Sequence, residues 1–247
     1  LGVMGFHSYL QKHSIPLESV MSKAWNKKIF KHIQEHVDQA SKDLADERGP
    51  CPDAADYGYN ERFSNKTAIA PTASISIICG GASPGVEPVA ANSYTHKTLS
   101  GSFNVRNRYL VELLEKHGKN TDDVWSGITT NQGSVSHLDF LTDLEKDVFK
   151  TAFELDQKWI IELSGDRTPY ISQAQSINLF VPADIHKREL HKIHFDAWKK
   201  GLKSLYYCRS KSIQRAENIN DAKSTDVLAN VYKNKQTKSE EPEYEEC

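Results

Sequence analysis

The fold open to this chain is limited most by a strand–helix–strand succession in its last third. Ile177-Asn-Leu-Phe-Val181 reads as a buried strand, and about Asp184 to Lys200 as a helix with Leu190, Ile193, Ala197 and Trp198 on one face. Leu205 to Cys208 reads as the next strand, and Gly201 stops the helix between them. Two strands joined by one helix and short connections form a right-handed crossover with parallel strands. The class is therefore α/β.

The rest of the pattern supplies helices to cover such a sheet. Leu1, Met4, Phe6 and Leu10 already look like the middle of a helix, and the chain opens without an initiator methionine, so it reads as a piece of a longer polypeptide. Leu17 to Arg48 predicts a long helix with Val20, Ala24, Trp25, Ile29, Ile33, Val37, Ala40 and Leu44 on its apolar face, ended by Gly49-Pro50. Pro52 to Lys66 is turn-like, and Thr67 to Ala70 a short strand. Tyr94 to Lys119 predicts an irregular stretch and then a helix over Asn107 to His117, with a polar loop from Lys119 to Ser136. Leu141 to Leu163 predicts a single strong helix with Leu144, Val148, Ala152, Leu155, Trp159 and Leu163 in its stripe. Past Arg209 the periodicity decays, and residues 233–247 form a flexible acidic tail after a folded region of residues 1–232.

Charge and cysteine usage narrow the partners. A net charge of −2 over 247 residues gives no general attraction for nucleic acid or an anionic membrane, so any phosphate contact must be local. No run is long enough to span a membrane and no leader opens the chain, which makes a cytoplasmic location the expectation. Cys51, Cys79, Cys208 and Cys247 lack the paired spacing of a zinc site and read as reduced thiols. His186, His191 and His194 cluster near one helix without a carboxylate or cysteine at ligand spacing, so no metal site is expected.

Two segments carry chemistry. Pro71-Thr-Ala-Ser-Ile75 sits where a strand hands over to a turn, and its residues are small or hydroxylated. Consecutive unpaired N–H groups at such a place form an anion-binding concavity, with the Thr72 and Ser74 hydroxyls as further donors. The plainer reading is a Ser/Thr-rich strand before the Gly80-Gly81 turn, with Glu87-Pro88 giving the loop tight geometry rather than chemistry. The second segment is Ser204-Leu-Tyr-Tyr-Cys208. Neighbouring strand residues point to opposite faces, so adjacent tyrosines are either ordinary strand packing or a pair held in a special environment.

Together these segments resemble a known family. Ala70-Pro-Thr-Ala-Ser-Ile-Ser-Ile-Ile-Cys-Gly-Gly-Ala-Ser-Pro-Gly-Val-Glu-Pro88, Gln175-Ser-Ile-Asn-Leu-Phe180 and Leu205-Tyr-Tyr-Cys-Arg-Ser-Lys-Ser-Ile-Gln-Arg-Ala-Glu217 are similar to the large catalytic subunit of class I ribonucleoside-diphosphate reductase, and occur in family order. The resemblance implies the second half of a ten-stranded α/β barrel with surrounding helices and a flexible C-terminal tail. It implies that Pro71, Thr72, Ala73, Ser74 and Ile75 hold the diphosphate of a ribonucleoside diphosphate. Tyr206 and Tyr207 match a stacked pair that relays a radical, and Cys247 matches a mobile redox tail re-reduced by thioredoxin or glutaredoxin. The radical would come from a metal-containing small subunit, with no cofactor in this chain.

The departures from the family are as informative. The radical-bearing cysteine and the two cysteines oxidised by substrate lie upstream of the region matching Leu1, so the resemblance implies a further partner, the N-terminal half of the large subunit. The tail has one cysteine where the family has a close pair. Two other readings stand beside this one: a cobalamin-dependent reductase, which has no need of a tyrosine relay, and a separately encoded half that acts in assembly and is inactive without its N-terminal partner.

Overall fold

The computed structural model describes residues 1–98 and 101–210, with the side chains of all of these except 96–98 and 101–103. The boundary expected at residue 232 and the tail with Cys247 lie outside the described residues. Helices α1 (Phe6–Lys12) and α2 (Val20–Arg48) open the chain. The first starts later than its apolar pattern, because Gly5 sits at φ 82° and its N–H is given to Ser83 O at 2.8 Å. Ser19 caps α2 by accepting from the Ser22 N–H at 3.1 Å, and Gly49 at φ 77° ends it.

The face that α2 buries is not the apolar one expected. Val20 is 79% exposed, while Ser22, Asn26, Phe30, Ser41 and Ala45 are buried. Small side chains let another backbone come close: Asn26 Nδ2 donates to Leu163 O at 2.8 Å, docking α2 on helix α8 (Gln157–Arg167). Between them lies Arg167, fully buried, with its guanidinium 5.4 Å from the Phe6 ring and 5.5 Å from the Phe30 ring and a hydrogen bond to Asn26 Oδ1. Burial lowers its pKa to about 9. This core also includes Leu10, Leu17, Ile69, Val86, Ile160 and Ile177.

Three other expectations are corrected. The supposed connection after Pro50 holds a short helix α3 (Pro52–Asp56), with proline in its first turn. The polar loop from Lys119 contains α6 (Asp122–Thr130), whose Trp125 and Ile128 pack with Leu110 and Leu114 of α5 (Arg108–Lys116) in a second core. The single helix expected over Leu141 to Leu163 is two, α7 (Asp143–Val148) and α8. Each has its own start signal: a capping box between Thr142 and Glu145, and Asp156, whose side chain accepts from Lys158 N at 3.0 Å. Glu18 clamps the break, accepting from Asp156 N and from Lys150 Nζ.

The strand–helix–strand unit forms, but its second strand starts at Cys208 where Leu205–Cys208 was expected. Strand β3 (Leu179–Val181) pairs in parallel with β4 (Cys208–Ser210), and α9 (Lys187–Lys199) joins them. Trp198 leaves the predicted buried face and is 70% exposed, stacked on Phe195 at 5.6 Å. The expected strand Thr67–Ala70 appears as one parallel bridge, Ile69 to Gln175. An antiparallel pair, β1 (Ser93–Thr98) and β2 (Gly101–Arg106), replaces most of the irregular stretch after Tyr94. Among the described residues no helix is long and apolar enough to cross a membrane.

Candidate functional site

The Pro71–Ile75 segment is the start of a helix, not a strand end. Helix α4 (Ala73–Ile78) begins after Thr72, which takes the left-handed conformation at φ 49°, ψ 30°. The first hydrogen bond of this turn runs from Ser76 N to Thr72 O at 2.9 Å, so the N–H groups of Ala73, Ser74 and Ile75 stand ahead of it. Ala73, Ser74 and Ile75 are exposed, as the reading of an anion cradle requires. Pro71 contributes no N–H. The Thr72 hydroxyl turns inward and accepts the Gly85 N–H at 2.8 Å, which fixes the loop instead of facing out.

Gly85 explains how the loop folds back. Its φ is 48°, and a Cβ there would lie 2.8 Å from Ala70 O. The two ends of the loop therefore touch because position 85 has no side chain. Beyond it, Val89 N donates to Nδ1 of the buried His7 at 3.1 Å. Burial lowers the His7 pKa to about 4, which keeps that nitrogen an acceptor.

Tyr206 and Tyr207 lie just before β4 in a segment held along residues 177–179. Tyr206 N donates to Ile177 O at 2.8 Å, and Leu179 N donates to Tyr207 O at 2.9 Å. Their rings do not take opposite faces. The centroids are 4.1 Å apart with planes at 54°, and the residues are 48% and 55% exposed. The hydrogen-bonded Tyr207 phenol raises the Tyr206 pKa, against a weaker opposite pull from Arg209. Arg209 itself stands 5.8 Å from the Tyr207 ring. Two phenols in this relation can pass a hydrogen atom between them as a proton and an electron.

Glu87 links the two segments, a role its sequence context did not reveal. It is buried, its Oε1 has no partner, and burial raises its pKa against the pull of Asn178 and Arg209. Asn178 also accepts the Tyr207 N–H on its Oδ1 at 3.0 Å. The loop thus ends on groups that border the tyrosine pair. The only sequence signal for Glu87 was its place beside Pro88 at the close of the loop.

The remaining candidates have structural roles. His186 caps α9 by accepting the Arg188 N–H, His194 bonds Leu190 O, and His191 stacks on Phe195. Among the described residues no group of three or more His, Cys, Asp or Glu side chains is placed to hold a metal ion. Cys79 and Cys208 are exposed free thiols, and Cys247 lies outside the described residues.

The parallel strand–helix–strand unit and the helices packed around it define an α/β protein. The chain belongs to the ribonucleotide reductase barrel-domain family, whose model matches residues 1–62 and 53–208. It is 49% identical over 223 residues to the ribonucleoside-diphosphate reductase large subunit of Invertebrate iridescent virus 6, covering 89% of this chain and 23% of that protein. It is 30% identical over 242 residues to the large subunit of Caenorhabditis elegans, covering 85% and 30%. The solved Actinobacillus ureae class Id ribonucleotide reductase alpha subunit aligns with a TM-score of 0.80 at 39% identity, over 88% of this chain and 40% of that one. The chain therefore spans well under half the length of these relatives.

Proposed function

We propose that this chain is the C-terminal part of a ribonucleoside-diphosphate reductase large subunit, acting in the reduction of ribonucleoside diphosphates to 2′-deoxyribonucleoside diphosphates. The observation that carries this reading is the close Tyr206–Tyr207 ring pair, joined through Asn178 and Glu87 to the loop that opens α4. In this role the amides of Ala73, Ser74 and Ile75, with the Ser74 hydroxyl, hold the substrate diphosphate, and Thr72 shapes the loop through Gly85. Tyr206 and Tyr207 pass the radical by coupled proton and electron transfer. Phenylalanine could stack in either place but has no hydroxyl to lose a proton.

The chain completes a ten-stranded barrel with the N-terminal half of the large subunit, which supplies the thiyl-radical cysteine and the substrate-oxidised pair. Exposed Ile75, Ile77 and Ile78 on α4 support such a covering partner, since three large apolar side chains together otherwise face water. A metal-containing small subunit supplies the radical, and the exposed Phe195 and Trp198 stack on the helix leading to the tyrosines suits a protein contact. When the substrate 2′-hydroxyl leaves as water, two thiols become a disulfide. Cys247 on the tail attacks that disulfide, freeing one thiol and forming a mixed disulfide, which the dithiol of thioredoxin or glutaredoxin then resolves, supplying the two electrons and becoming a disulfide itself.

The test is reconstitution. Mixing the full 247-residue chain with an N-terminal half and a small subunit is expected to yield deoxynucleotide from ribonucleoside diphosphate and reduced thioredoxin. A complex that assembles and binds substrate but forms no deoxynucleotide overturns the reading.

A further inference from the structure

Helix α2 keeps its charges apart. From Val20 to Gln34 it carries Lys23, Lys27, Lys28 and Lys31 and no acid, whereas its second half holds Glu35, Asp38, Asp43, Asp46 and Glu47 against Lys42 and Arg48. This order runs against the helix's own dipole, which favours acid in the first turn and base in the last. No acid stands in the first turn, and Asp46 and Glu47 share the last with Arg48. An arrangement that costs the isolated helix points to something outside it.

Part of the charge is used within the fold. Lys23 and Lys27 reach Glu162 and Asp166 on α8, and Asp38 reaches Lys66. The rest faces out: Lys28, Lys31, Asp43, Asp46 and Glu47 are all exposed. Lys31 meets Glu35 at 3.7 Å, Arg48 meets Glu47, Gln39 donates to Asp43 and Asn60 to Asp46. Contacts so open to water are weak and exchange readily for others.

The same outward side carries an apolar cleft. About 490 Å³ is walled by Trp25, Ile29 and Ile33 and bordered by Lys28, Lys31, His32 and Glu35. Lys28 Nζ stands 4.8 Å from the centre of the Trp25 ring, and Met21, one turn earlier, is 56% exposed. Greasy surface inside a basic border calls for a partner that is partly apolar and acidic, and the second half of α2 supplies the acid.

We infer that α2 is an interface between two copies of this chain, packed side by side and antiparallel about a two-fold axis near His36. A surface basic at one end and acidic at the other complements itself when turned end for end. Lys28 and Lys31 of each copy then face Asp43 and Asp46 of the other, and every pairing occurs twice. The two dipoles also oppose, so each helix start lies toward the other's end. The second half of each helix covers the Trp25 cleft of the other copy, which takes its apolar walls out of water. A parallel pair would set base on base. This interface does not rest on the reductase reading.

The test is sedimentation equilibrium of the full 247-residue chain over a rising concentration series, in about 50 mM and about 500 mM salt. The parent is expected to approach twice the chain mass, and to do so less readily at the higher salt. Lys28→Glu with Lys31→Glu, and separately Asp43→Lys with Asp46→Lys, are each expected to raise the dimer Kd about tenfold or more. All four positions are exposed, so both variants should melt near the parent temperature. Mixed one to one, the two variants are expected to associate with each other at parent strength or better. A parent that stays monomeric to about 1 mM, a dimer that survives either charge reversal, or variants that fail to pair on mixing would overturn the assignment.

Discussion

The loop that opens α4 and the segment that carries the tyrosine pair lie at either side of Glu87, yet each holds its chemistry in a different part of the peptide. In the loop the groups proposed to bind are main-chain N–H bonds with the Ser74 hydroxyl, while Thr72 holds Gly85 and His7 holds Val89 to shape the backbone. In the tyrosine segment the main chain is bonded to Ile177, Asn178 and Leu179, and the groups proposed to work are two phenols. On the proposed function the first region should tolerate changes of side chain and be damaged by changes of conformation. The second should be damaged by the loss of one oxygen atom.

The sharpest way to separate them is by substitution. Tyr206→Phe or Tyr207→Phe is expected to abolish deoxynucleotide formation in the reconstituted complex while the melting temperature and substrate Kd stay at parent values. Near-normal turnover in both would remove the relay. A pH series probes the anchoring of the loop. Because the His7 pKa falls to about 4 on folding, the unfolded chain takes up its proton first, so stability is complete above pH 6.5 and falls by roughly 3 kcal/mol by pH 4. His7→Gln keeps an acceptor for Val89 and does not titrate, so its urea midpoints should change less over that window; a parallel decline in both proteins would acquit His7.

Smaller effects refine the contrast. Ser74→Pro removes one first-turn N–H, and a charge-assisted bond of about 2 kcal/mol predicts a substrate Kd some tenfold or more higher, read by calorimetry. Ser74→Ala, which spares the amide, should lose less; the reverse order would make the hydroxyl the principal donor. Smallest is Glu87→Gln. Since burial raises the Glu87 pKa, its contribution to stability is full below pH 4.5 and declines as pH rises through the folded value. The substitution should flatten that decline, with the opposite slope to His7, and an unaltered slope would show that Glu87 does not titrate in this range.

What the sequence disclosed follows the same division. The crossover from β3 through α9 to β4 was legible because apolar periodicity and Gly201 mark it directly, and the tyrosines announce themselves by identity. Helix α4 was not, since its three isoleucines and the preceding Thr72 favour strands, and the Thr72–Gly85 contact is remote from them in pattern. The buried face of α2 misled for a related reason: Ser22, Asn26 and Ser41 count as polar, but each is buried and bonds backbone, Ser22 to Leu17 O, Asn26 to Leu163 O and Ser41 to the N–H groups of Arg62 and Phe63. The break between α7 and α8 was hidden because its clamp, Glu18, is remote in sequence. Glu87 could not be read as buried, for nothing local to it says so.

The parallel bridge at Ile69 has a consequence for how the molecule is made. Its partner Gln175, like the Thr67 contacts with Ser172 across a separation of 105 residues, belongs to a much later stretch of chain. A ribosome releases the α4 loop with its flanking edge unmet, and nothing synthesised in the next several seconds can close it. The backbone edge at Ile69 is thus among the last parts to be paired, and a nascent chain stalled before β3 would present that edge to the cell's chaperones.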